Sequence, residues 1–163
     1  MKIILTLGCT LLFYPVAQAQ YQQVNMTVFG MDCAPCAHSI HVSMKGIPGV
    51  NSVDVNLNTG LVVVKLAPEN GASMRRFNEA IERNGFTHKD ADLIVRGRLS
   101  GKPDAPVLEV TGTNDHFALA SMTASTDWSE LIGKTVLVTG TLPQAPKGRV
   151  SEVLRCKAIA EAR

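Results

Sequence analysis

The stretch that decides the fold is Val24-Asn25-Met26-Thr27-Val28-Phe29-Gly30-Met31-Asp32-Cys33-Ala34-Pro35-Cys36-Ala37, followed by Ile40, Met44 and Ile47. Val24, Met26 and Val28 alternate with Asn25 and Thr27, the period of a half-buried strand. Ala37, Ile40, Met44 and Ile47 recur at helical spacing, His38, Ser39 and Lys45 fall off that stripe, and Pro48-Gly49 stops the helix. Two cysteines separated by Ala34 and Pro35 therefore lie on a short loop where a strand hands over to a helix. A helix beginning near Pro35 puts unpaired N–H groups and the positive end of its dipole beside both sulfurs, which favours thiolate over thiol. Thiolate is the species that binds metal. Two soft sulfurs select Cu(I), Hg(II), Zn(II) or Cd(II) over hard Mg(II) or Ca(II). Two ligands with room for a third also suit release by ligand exchange, whereas a structural zinc site closes four.

Outward from this loop, Val53, Val55 and Leu57 share one face of a second strand, and Asn58-Thr59-Gly60 turns the chain into a third over Leu61 to Leu66. Ser73 is placed to cap a second helix whose Met74, Phe77, Ala80 and Ile81 share a face and which ends at Asn84-Gly85. A fourth strand near Thr87 to Val95 completes the order β-α-β-β-α-β. That order predicts an antiparallel sheet covered on one side by two helices, the ferredoxin-like arrangement, over residues 20–96.

Beyond Val95 the pattern changes to short strands with turn punctuation: Leu93 to Leu99, Val107 to Gly112, Phe117 to Ala120, Thr135 to Leu142 and Val150 to Ala160, with a brief helical segment at Thr126 to Ile132. Five strands with a helical insert after the third predict a small OB-like β-barrel over residues 97–163, an α+β chain overall. Leu131 to Thr141 resembles the fourth strand of small exported OB-like domains.

At the start of the chain Lys2, the apolar run Ile3 to Val16 and Ala17-Gln18-Ala19 make a signal peptide over residues 1–19, with Gln20 as the first mature residue. The expected location is periplasmic or secreted. No later segment approaches the ~20 apolar residues of a spanning helix, so no membrane insertion is expected after cleavage. Cleavage removes Cys9 and leaves Cys33, Cys36 and Cys156, an odd number that a simple disulfide framework does not accommodate. The formal charge of +2 over 163 residues is spread along the chain rather than gathered into a basic run, which disfavours nucleic acid as a partner.

Gly30 to Ala37, set between strand and helix, resembles the heavy-metal-associated domain of copper chaperones, metal-transporting ATPase amino-terminal modules and the periplasmic mercury-binding protein. The resemblance runs from about Gln23 to Val95 and includes Ile47-Pro48-Gly49-Val50-Asn51-Ser52-Val53 and Ala80-Ile81-Glu82-Arg83-Asn84-Gly85-Phe86. It implies Cys33 and Cys36 as metal ligands, Met31 packed beneath the loop without ligating, and Phe86 as an aromatic covering the loop. Asp32 departs from the commoner Thr and resembles the variant of zinc, cadmium and lead transporter modules, where the carboxylate becomes a third ligand. Capping of the first helix is the reading of Asp32 set ahead of that one.

The function expected is capture and transfer or buffering of a thiophilic ion, with a membrane metal transporter as a partner and no catalysis. Two rivals stand beside it: a thiol-disulfide oxidoreductase using the same C-x-x-C, and an adaptor acting through the second unit. No Trp precedes Cys33, the single Trp being Trp128, and a hairpin rather than a βαβ crossover follows the helix, which disfavours the oxidoreductase. His38 and His41 read as solvated helix residues, His88, His116 and Met122 form no ligand-like spacing, and Cys156 reads as a buried inert thiol on an inward strand face shared with Leu154 and Ala158.

Overall fold

A computed structural model describes residues 20–68, 70–122 and 127–162; the expected signal peptide and Thr126 lie outside them. Ten elements follow in chain order: β1 (Tyr21–Phe29), α1 (Ala34–Lys45), β2 (Val50–Asn56), β3 (Leu61–Leu66), α2 (Met74–Glu82), β4 (Thr87–Lys102), β5 (Ala105–Glu109), β6 (His116–Ser121), β7 (Thr135–Leu142) and β8 (Val153–Glu161). The first four strands pair antiparallel in the order β2-β3-β1-β4, and the two helices supply Ile40, Met44, Phe77 and Ile81 to a core with Val24, Met26, Val28, Val62 and Val64. This is the expected ferredoxin-like βαββαβ arrangement. Burying a side chain such as Phe77, fully enclosed and edge-on to Tyr21, stabilises by ~1.5–3 kcal/mol.

β4 does not stop where the sequence reading placed a boundary. Ala91, Leu93, Val95, Gly97 and Leu99 are all buried on one face, so the two overlapping segments read as separate strands are a single strand of 16 residues. Its residues 91–95 pair with β1 on one edge and β7 on the other, and Arg98 faces both Glu109 of β5 and Thr135 of β7. β5 therefore succeeds β1 along the same edge. At the crossover a Cβ on Gly97 would collide with the Glu109 carbonyl oxygen, so only glycine lets β5 approach this closely.

From β4 the pairings run β4-β5-β6-β8-β7 and return to β4, a ring within one large sheet, antiparallel except for the parallel pair β6–β8. Leu99, Leu108, Phe117, Leu119, Val136, Val138 and Leu154 are buried among its residues. Cys156 is buried as expected, but Ala158 is exposed. Thr139 pairs with Ala158 and Gly140 with Cys156, leaving Lys157 as an extra residue that reverses the alternation, so Ile159 rather than Ala158 turns inward. The helix expected up to Ile132 is also corrected. Its described part is one turn, in which Leu131 and Ile132 both donate to the Trp128 carbonyl, held by the buried Trp128 ring.

α2 is clamped to the ring. Asp115, in the turn before β6, accepts from the Tyr21 hydroxyl at 2.5 Å and from the Met74 N–H at 2.7 Å through the same carboxylate oxygen. Ser73 occupies the N-cap position but makes no side-chain cap, so the expected local cap is replaced by one from 41 residues away. Further along α2, Asn78 donates to the Arg149 carbonyl and both Glu82 oxygens accept from the Gly148 N–H. On β4, Asp90 accepts from the Gln144 N–H.

Candidate metal centre

The loop between β1 and α1 is built by the helix start. Cys33 is the N-cap residue in extended conformation (φ −134°, ψ 149°), its carbonyl accepting from Ala37 and its sulfur accepting from the Cys36 N–H at 3.1 Å. Pro35 sits in the first turn, where a missing N–H costs nothing. The cap is thus supplied by sulfur, and the expectation that Asp32 caps α1 is corrected. The helix starts one residue too late for Asp32 to reach it.

Asp32, freed from capping, is exposed, and its carboxylate and the two sulfurs lie within 4.8 Å of one another. Among the described residues this is the one group of three or more His, Cys, Asp or Glu side chains with that geometry. The sulfurs of Cys33 and Cys36, both half-buried, are joined at 2.05 Å. This is the oxidised form. Two electrons and two protons convert it to dithiol, and deprotonation then yields two adjacent soft donors. The N-terminal end of α1 favours their negative charge by ~0.3–1 kcal/mol.

The surroundings sort into support and rim. Met31 is buried beneath the loop, as the family resemblance implies. Gly30 has φ +86°, and the Phe86 ring lies 3.8 Å from where its Cβ would stand, so the aromatic closes over the loop backbone. Asn84, just past α2, donates to the Ser43 hydroxyl in the last turns of α1 and ties the two helices together. Phe29 is exposed at 67%, with the Lys89 ammonium 5.3 Å from its ring centroid.

The remaining candidates stay apart from this group. His38 is exposed and His41 half-buried on α1, and neither joins the three donors. His88 is buried, its Nδ1 3.1 Å from the Lys89 carbonyl and its Nε2 3.8 Å from Glu82. Cys156 is a free thiol on β8, donating to the Ala158 carbonyl at 3.5 Å, and burial pushes its pKa up, which keeps it protonated. Sequence reasoning missed Asp115, Asn78 and Glu82. The sequence reading ends a strand at Gly112 and leaves Asp115 between strands, and nothing local announces partners so distant.

Residues 25–87 match the heavy-metal-associated domain model. The copper chaperone CopZ of Staphylococcus aureus (strain JH9) is 33% identical over 64 residues, 39% of this chain and 93% of that protein. The copper-transporting ATPase HMA4 of Oryza sativa subsp. japonica is 39% identical over 72 residues, 44% of this chain but 7% of the ATPase. Among solved structures, oxidized MerP from Ralstonia metallidurans CH34 is 27% identical over 41% of this chain and 92% of that one, with a TM-score of 0.38. The chain belongs to the heavy-metal-associated domain family, and its C-x-x-C pair is Cys33 and Cys36. The match spans only 7% and 11% of the rice ATPase and of the copper-exporting P-type ATPase of Mycobacterium tuberculosis (strain ATCC 25618 / H37Rv). Residues 88–162 lie beyond the matched segment.

Proposed function

We propose that this protein is exported and, once reduced, captures a thiophilic metal ion between Cys33 and Cys36 and hands it on or buffers it. The observation that carries this reading is the convergence of both sulfurs and the Asp32 carboxylate within 4.8 Å on a loop at a helix N-terminus. Two thiolates suffice for a nearly linear soft ion such as Cu(I) or Hg(II). The carboxylate adds the further donor that Zn(II) or Cd(II) requires. The chaperone and ATPase relatives are named for copper, which supports Cu(I) as one cargo and a membrane metal transporter as the partner. In this reading the chain is a carrier with no catalytic residue.

Export rests on the segment 1–19. Cleavage before Gln20 leaves β1 whole, because that strand begins at Tyr21. Residues 20–96 serve as the metal unit and 97–163 as its companion, with β4 running through both. We read the ring as a small OB-like barrel. In its own chain order the strands pair first-second-third-fifth-fourth and back to the first, with the third and fifth parallel.

The test is anaerobic competition of the reduced mature protein for Cu(I), Hg(II) and Zn(II), with elemental analysis of the retained ion. Stoichiometric retention of one ion supports capture, and none overturns it. The joined sulfurs give the oxidoreductase reading its one specific support. Reduction of insulin disulfides by a protein that retains no metal would replace the carrier with that rival. N-terminal sequencing of the exported protein checks Gln20.

A further inference from the structure

Three segments far apart in sequence meet around a cavity of about 500 Å³ between α2 and the ring. Arg75 comes from the first turn of α2, His116 from the start of β6, and Arg149 from the connection between β7 and β8. Among the described residues neither guanidinium has a hydrogen-bond or ion-pair partner, whereas Arg83, Lys134 and Lys157 are each paired with a carboxylate. Asp115 lies in the same wall, but its Oδ2 is committed to the Tyr21 hydroxyl and the Met74 N–H. Glu152 also borders the cavity without an ion pair to either arginine.

Arg75 and Arg149 are exposed and border a cavity whose wall also carries the Asp115 and Glu152 carboxylates, yet neither guanidinium is spent on them. An oxyanion placed between the two accepts charge-assisted hydrogen bonds from planar forks suited to two-point contact. The volume is that of a small-molecule site, within ~300–1,000 Å³. We propose that this seam cavity binds a small ligand through a carboxylate or phosphate group held between Arg75 and Arg149. His116 and the Ser151 hydroxyl serve as further donors, and Glu152 accepts from a hydroxyl or ammonium on the same ligand. The site is independent of metal capture, since none of its residues belongs to the group of Asp32, Cys33 and Cys36.

The experiment titrates the metal-free mature chain with inorganic phosphate and, separately, with citrate, at constant ionic strength, by calorimetry. Saturable binding of either probe is expected, and the probe that binds identifies the oxyanion. Arg75→Gln and Arg149→Gln are each expected to weaken it by about tenfold or more, with metal uptake unchanged. The His116→Gln variant keeps the proposal testable should an arginine variant fail to fold, because among the described residues that exposed ring has one hydrogen-bond partner, the Asn114 carbonyl. Binding weaker in His116→Gln supports the site. No saturable binding of either probe, or affinity unchanged in these variants, overturns it.

Discussion

Replacing Asp115 by Ala removes two hydrogen bonds that share one oxygen, and the cost follows from what each leaves behind. At Met74 the first N–H of α2 loses its acceptor, and Ser73 does not substitute for it; losing an N-terminal cap costs about 0.5–2 kcal/mol. At Tyr21 a hydroxyl inside the core loses its partner, and a buried unsatisfied polar group costs about 1–3 kcal/mol. The sum, about 1.5–5 kcal/mol, is a large share of the ~5–15 kcal/mol typical of a whole domain and corresponds to a fall in Tm of roughly 3–20 °C. Thermal and urea unfolding of wild type, Asp115→Ala, Tyr21→Phe and the double variant form a cycle. In the Tyr21→Phe background Asp115→Ala should cost only the cap, so the two changes are expected to be less than additive by at least 0.5 kcal/mol or so. A loss below about 0.5 kcal/mol for Asp115→Ala, or strict additivity, would refute the clamp.

Cys33→Ser or Cys36→Ser should abolish stoichiometric metal uptake, read by elemental analysis, while the unfolding midpoint of reduced protein moves little because neither side chain is fully buried. Cys156→Ala should keep metal stoichiometry and lose about 1 kcal/mol, since a small buried side chain is deleted; halved metal content would refute its assignment as inert. Asp32→Thr should weaken Zn(II) and Cd(II) much more than Cu(I) and Hg(II), and an equal shift for all four would remove the carboxylate from the coordination sphere. Burial, with Asp115 adding to it, holds the Tyr21 pKa well above the usual 10.0. The folded protein therefore keeps a proton that the unfolded chain releases, so this stability is full below about pH 10 and is lost as pH rises further. Tyr21 is the single tyrosine left after residues 1–19, so tyrosinate absorbance in the mature protein should appear only together with unfolding; ionisation of the native protein near pH 10 would contradict its enclosure.

What was legible in the sequence is what short-range periodicity encodes. The alternation of Val24, Met26 and Val28, the helical stripe through Ile40 and Met44, and the hairpin at Asn58-Thr59-Gly60 all concern neighbours within one turn or one strand, and each appears where it was read. The spacing of Cys33 and Cys36 at a strand-to-helix loop belongs to the same class. Most misreadings came where a longer-range contact overrode a local rule, and one came from the choice between two adjacent residues at a helix start. Ser73 has the chemistry of a cap, yet Asp115 takes the Met74 N–H because the turn before β6 folds onto α2. Asp32 has it too, yet Cys33 is the residue held in extended conformation before the helix. Residue 97 is where the sequence reading opens a second unit, but Gly97 lies within β4, where β5 presses against it, a demand set by a residue a dozen positions later. The bulge at Lys157 is likewise invisible locally, because it arises from pairing with Thr139 and Gly140.

The same long-range contacts determine how the metal loop is supported. α2 is held at its start by Asp115, along its length by the Arg149 carbonyl and Gly148, and just beyond its end by the hydrogen bond from Asn84 to Ser43 on α1. Two residues after Asn84 comes Phe86, whose ring lies against the backbone of Gly30 at the entrance to the metal loop. The chain leaving Phe86 becomes β4, which pairs with β1 on one edge and β7 on the other. The loop carrying Asp32, Cys33 and Cys36 is therefore bounded by elements fixed from outside the segment that matches the family. A carboxylate in the turn before β6 and a carbonyl in the β7–β8 connection do for α2 what a free-standing domain would have to do with residues of its own. The donor triad itself, Asp32 exposed and both cysteines half-buried, takes part in none of the hydrogen bonds that hold α2 to the ring.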